Sequence, residues 1–82
     1  MKMNKTEKGR KLLQWLRDAR ESKGMTMRDV AAVLKVPHSW VGKVETGDRR
    51  LDIIEFARLC QVLGVDPAKG LKLLEGVKKG KK

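Results

Sequence analysis

The sequence predicts an all-α fold, a compact bundle of five helices. Three observations predict it. Apolar residues recur at three- and four-residue spacing, and no segment shows the strict alternation of a strand. Helix-start signals repeat along the chain: Thr26 with Asp29, Asp52 with Glu55, and Asp66 followed by Pro67. Gly24, Gly47 and Gly64 each stand just past an apolar-periodic segment, where a helix ends in a left-handed residue.

Taken in order, Met1 to Lys8 is polar and basic, and a flexible segment over 1–8 is expected before a domain over 9–75. The first helix is expected from about Lys8 to Lys23, with Leu12, Leu13, Trp15, Leu16 and Ala19 on its inner face. Thr26 opens the second, about Met27 to Leu34, and Asp29 reaches back as its capping partner. Val30, Ala31 and Leu34 point inward. After a short break at Lys35-Val36, Pro37 starts a third helix that runs to Thr46, because proline is tolerated in a first turn. Its inner side is Val41 and Val44. A loop with Arg49 and Arg50 follows. Asp52 then caps a fourth helix whose apolar face is Ile53, Phe56, Leu59, Cys60 and Leu63. Asp66-Pro67 opens a last helix to about Glu75, and the Lys-rich residues 76–82 are expected to form a disordered tail.

Length and composition narrow the function. A chain of 82 residues makes one domain with a modest core, too small to enclose a large substrate pocket. No apolar run approaches the roughly 18 residues of a membrane span, and no secretory signal is visible, so a cytoplasmic location is expected. Cys60 has no second cysteine to pair with and sits among apolar residues, which makes it a buried small hydrophobe rather than a reactive thiol. The net charge is +10, but residues 1–11 and 76–82 each contribute +4 and the middle of the chain only +2. Basic ends serve solubility as readily as they grip a polyanion, so net charge does not decide the function.

Residues 27–46 carry more information. Ala31 is small where a second helix would cross, Leu34-Lys35-Val36-Pro37 has the length of a tight turn, and Val41 and Val44 anchor one side of the third helix while its opposite side stays free. These are the requirements of a helix-turn-helix, although an ordinary helical hairpin meets them too. The agreement extends through LRDARESKGMTMRDVAAVL at 16–34, VPHSWVGKVETGDRRLDIIEFARL at 36–59 and LGVDP at 63–67, with E-x-G-x-R-R-L-D from Glu45 to Asp52 as its most specific part. With these pieces in this order and spacing, the segment Leu16 to Glu75 resembles the Xre/Cro-like helix-turn-helix family, which includes the lambdoid phage repressors.

The resemblance implies a lambda-repressor-like bundle and a bacterial or phage-encoded, DNA-associated transcriptional regulator. It implies a repressor that binds a two-fold symmetric operator as a homodimer, with helix 3 in the major groove of double-stranded DNA. His38 and Ser39 match positions that touch base edges in phage repressors, and Lys43 lies one turn further along the same face. Trp40 is either a partly buried packing residue or an aromatic flank against the DNA. Gly42 would permit close approach to DNA, at some cost in helix stability. The loop with Thr46, Arg49 and Arg50 lies against the sugar-phosphate backbone in this family, so at least one arginine is expected on phosphate and the other on Asp48 or Asp52. Arg28 is a further phosphate candidate. Arg20 and Glu45 match a pair that bridges helix 1 to the end of helix 3, a structural rather than catalytic role. The chain departs from the family at Lys35, where glycine is usual, and at Met27, where glutamine often contacts a phosphate.

Leu71, Leu73 and Leu74 offer a dimer surface, or simply close the core. The rival function is a protein-interaction module, since antitoxins use the same fold to bind protein partners. An enzyme is disfavoured: no phosphate loop, metalloprotease motif or paired acids occur, and neither cofactor nor metal is implied. A membrane-surface helix over 5–20 would explain the basic and apolar faces there but nothing in 27–67.

Overall fold

The computed structural model describes residues 6–75; the expected tail at 76–82 and the first five residues of the expected flexible segment lie outside the described range. Among the described residues five α-helices follow one another: α1 Glu7–Ser22, α2 Met27–Leu34, α3 His38–Thr46, α4 Ile53–Leu63 and α5 Pro67–Lys72. No strand occurs among the described residues.

The helix starts are built by their own side chains. Thr6 accepts from the Gly9 amide at 3.1 Å, so α1 begins at Glu7 and takes in two residues expected in the flexible segment. Thr26 and Asp29 cap each other's amides at 3.1 and 2.8 Å, and Asp52 and Glu55 do the same at 2.7 and 3.0 Å. Asp66 accepts from the Ala68 amide ahead of Pro67 in the first turn of α5. Pro37 caps α3 from outside rather than opening it from within, and it supplies no side-chain acceptor.

The ends of α1 to α4 share one device. A left-handed residue turns the chain, and the following amide returns to the carbonyl five residues earlier: Met25 to Arg20, Val36 to Ala31, Asp48 to Lys43 and Val65 to Cys60. Glycine holds the left-handed position at three of these ends, and Lys35 holds it at the fourth with φ 61° and ψ 47°. The tight turn of the helix-turn-helix is therefore made by a residue with a Cβ, at a cost of roughly 1–2 kcal/mol. α5 is shorter than expected. It ends at Lys72, and Leu73 to Glu75 continue in turns closed three residues back.

The core is Leu13 and Leu16 of α1, Val30, Ala31 and Leu34 of α2, Val41 and Val44 of α3, and Phe56, Leu59, Cys60 and Leu63 of α4. Each large apolar side chain buried here contributes about 1.5–3 kcal/mol. α2 packs most extensively on α3, with α1 and α4 behind them. Gly70 brings α5 against α1: a Cβ there would stand 2.6 Å from the ring of Trp15. Trp15 is half-buried against the core.

One apolar position is not where periodicity predicts it. Ile53 is 67% exposed, with Ile54 beside it at 69%. Its helical face continues inward one turn later at Phe56, but at Ile53 no described residue closes over it. Instead Ile53 edges an open groove with Leu12, Leu71 and Leu74.

Candidate nucleic-acid interface

α3 is amphipathic in a particular way. Val41 and Val44 are fully buried, while His38, Ser39, Lys43 and Thr46 are exposed. Spacings of three, four and seven residues place those four, with Gly42, on one outward stripe. The stripe is polar and contains no carboxylate. The side chains of His38, Ser39 and Lys43 make no hydrogen bond or ion pair among the described residues, so their donors and acceptors are available to a ligand.

α3 is held firmly behind this face. Arg20 of α1 donates from Nε to Glu45 Oε2 at 2.6 Å and from Nη2 to Oε1 at 3.1 Å, and its Nη1 donates to the Met25 carbonyl at 2.9 Å. Both side chains are buried, at 9% and 8% exposure. The hydrogen bond from the guanidinium to Glu45 raises the Arg20 pKa above its already high ordinary value, against the opposing effect of burial. The pair thus spans α1 and the last turn of α3, turned away from the polar stripe.

The arginine loop adjoins the stripe. A shallow concavity is lined by Pro37, Ser39, Trp40, Lys43, Asp48 and Arg49, so loop and polar stripe form one surface. Asp48 is the acid within it. The Thr46 hydroxyl donates to the Asp48 carboxylate at 3.0 Å and also approaches the Lys43 carbonyl at 3.3 Å. Its single proton is engaged locally, so Thr46 reaches a phosphate only by giving up these bonds.

The two arginines differ sharply. Arg49 forms a two-pronged pair with Glu55, Nη1 to Oε1 at 3.2 Å and Nη2 to Oε2 at 3.1 Å. Its Nη1 also donates to the Arg50 carbonyl at 2.7 Å, and its guanidinium carbon stands 5.2 Å from the Trp40 ring centroid. The acidic partner is therefore Glu55, not Asp48 or Asp52. Glu55 sits at the third position of α4, where its capping bond turns it back toward the loop that carries Arg49. That capping geometry was the sequence signal for the ion pair. The Arg50 side chain is exposed and has no partner among the described residues, and Arg28, in the first turn of α2, stands likewise.

Trp40 is half-buried, packed against the core on one side and covered by Arg49 on another. Met27 packs toward Gly42, where a Cβ would stand 3.6 Å from its sulfur, an ordinary contact. Packing inside the protein does not require a glycine at 42. Among the described residues no group of three or more His, Cys, Asp or Glu converges to hold a metal, and no helix is long and apolar enough to cross a membrane. Cys60 lies at zero exposure, and burial pushes its thiol up to about 11, with the charge of Asp66 adding to the effect.

Residues 11–69 match a helix-turn-helix domain family. Among solved structures, an XRE-family like protein from Pseudomonas syringae pv. tomato str. DC3000 is similar to this chain, with a TM-score of 0.75 and 42% sequence identity over 84% of each chain. No curated protein matches.

Proposed function

The chain belongs to the Xre-like helix-turn-helix family of DNA-binding regulators, and we propose that it is a repressor that reads a two-fold symmetric operator as a homodimer through α3. The observation that carries this reading is the outward stripe of α3. The donors of His38, Ser39 and Lys43 on it are unspent, its opposite side is locked by Val41, Val44 and the Arg20–Glu45 pair, and an arginine loop stands at its edge.

In this reading α3 lies in the major groove with its first turns toward the bases. Lys43 and His38 donate to guanine O6 and N7, and Ser39 pairs with whichever base edge faces it; each good contact is worth about 1–3 kcal/mol of discrimination. Arg28 and Arg50 hold phosphates on either side, which fixes register without reading sequence. Two copies place their α3 helices roughly 34 Å apart, one DNA turn. The open groove with Ile53, Leu71 and Leu74 is the apolar surface on which the second copy would sit. No step of this function calls on catalysis, a cofactor or a metal.

Selection of bound sites from a random duplex library tests the proposal directly. The expected product is a short inverted repeat with half-sites about one turn apart. Ser39→Ala with Lys43→Ala should abolish the preference for that site while leaving helical content intact. A library without an enriched motif, or a double variant with unchanged preference, would sink the reading. In the first case a protein partner becomes the ligand to seek.

A further inference from the structure

Glu55 lies on α4, outside the recognition stripe, yet it is joined to that stripe by a short chain of contacts. Its Oε1 accepts from the Asp52 amide at 3.0 Å and from Arg49 Nη1 at 3.2 Å, while Oε2 accepts from Arg49 Nη2 at 3.1 Å. Arg49 in turn covers the Trp40 ring at 5.2 Å, and its own amide returns to the Lys43 carbonyl at 3.1 Å. Trp40 follows Ser39 directly and lines the same concavity as Lys43.

From this geometry we infer that Glu55 is a positioning residue for DNA reading. Acting through Arg49, it pins Trp40 and the loop at the edge of α3, and it divides the arginine pair into one structural member and one phosphate-binding member. The inference rests on the DNA-reading proposal above and names a residue that proposal does not use.

The physical reasons are those of charge and of order. Three of the five guanidinium N–H donors of Arg49 are engaged, and its charge is matched by the Glu55 carboxylate. A matched charge releases few counterions on meeting a phosphate, so Arg49 adds little to the salt dependence of binding. Arg50, exposed and without a partner among the described residues, adds a full phosphate contact. The cation over Trp40 also holds the ring in one place before DNA arrives, so the ordering cost is not charged against specific binding.

Glu55→Gln is the informative variant. Glutamine retains the capping bond to the Asp52 amide but loses the charge that holds Arg49. The measurements are the affinity for the selected duplex, the affinity for a shuffled duplex of equal length, and the slope of each against salt. Three results are expected. The ratio of specific to shuffled affinity falls about two- to fivefold with the loss of the held cation–π contact. The salt slope steepens by about 0.9, because a released Arg49 becomes free to neutralise a phosphate. Neither change appears when Glu55→Gln is made in an Arg49→Ala background. Arg50→Ala should flatten the slope by about 0.9 in any background, whereas Arg49→Ala alone should leave it unaltered. Circular dichroism melting accompanies each variant, and Arg49→Ala, which leaves the cap complete, carries the test should the glutamine variant melt early.

The inference fails if wild-type protein selects a site but Glu55→Gln keeps both ratio and slope. It fails equally if the effects of Glu55→Gln persist without Arg49, or if Arg49→Ala flattens the slope as Arg50→Ala does. If wild-type protein selects no site at all, the DNA-reading proposal fails and takes this inference with it.

Discussion

Replacing Glu45 by alanine isolates the contribution of the buried ion pair that braces α3. In the folded protein Arg20 and Glu45 are 9% and 8% exposed and joined by two hydrogen bonds at 2.6 and 3.1 Å. Without Glu45, the guanidinium keeps the Met25 carbonyl at 2.9 Å and a distant approach to Glu21 at 3.9 Å, whose side chain is 53% exposed. An exposed carboxylate at that range compensates little. Stranding a buried charge in this way costs about 3–5 kcal/mol. A domain of this length has on the order of 4–12 kcal/mol of stability in all, so the variant should be severely weakened. Its melting temperature should drop by about 12 °C or more. Replacing both partners, Arg20→Met with Glu45→Leu, removes the desolvation penalty along with the attraction, and should restore stability to wild type or above. Thermal and urea melts followed by circular dichroism measure all three proteins. A single variant that loses less than about 1 kcal/mol, as an exposed pair would, refutes the assignment of a buried brace. So does a double variant as unstable as the single one.

Three further outcomes are expected. Gly42→Ala should raise stability by up to about 1 kcal/mol, since alanine favours the helix and its Cβ meets only Met27 at an ordinary 3.6 Å; if the glycine serves close approach to DNA, the same variant binds its site more weakly, and a fall in melting temperature would refute the packing reading. Lys35→Gly should remove the left-handed strain at φ 61° for a net gain below about 1 kcal/mol, part of which is cancelled by the freer unfolded chain; a loss of stability would show that the lysine side chain does more than turn the helix. The Cys60 thiol, raised from 9.0 to about 11 by burial, favours the folded state while neutral, so its contribution is complete below pH about 9 and declines as pH climbs toward 11. A thiol reagent should label it only as fast as the protein unfolds, and rapid labelling of folded protein at neutral pH would contradict the burial.

Much of the backbone was legible in the sequence because its signals are local. Thr26–Asp29 and Asp52–Glu55 cap helices through contacts three residues apart, and the glycines at 24, 47 and 64 end them through their own dihedral freedom. The start of α2 could be read from its capping pair and its end from Pro37 just beyond it. The polar stripe of α3 was legible for the same reason, since helical spacing sorts Val41 and Val44 from His38, Ser39 and Lys43 without knowledge of any neighbour.

What remained illegible depends on which elements meet. Ile53 has the spacing of a core residue, but it stands at the edge of an open groove between α1, α4 and α5, and among the described residues it is exposed. Gly70 carries no signal in the sequence, and its reason is seen only in α5 pressed onto Trp15. The adjacent arginines are equivalent as letters; the approach of α4 to the loop joins Arg49 to Glu55 and Trp40 and leaves Arg50 exposed. By itself, then, the sequence determined, to within a residue or so and with the end of α5 excepted, where helices begin and end and which side of each is apolar, because caps, dihedrals and periodicity act within a few residues. Only the tertiary structure decided which charges are spent inside the protein and which remain for a ligand, because an ion pair depends on distance in space and not on spacing along the chain.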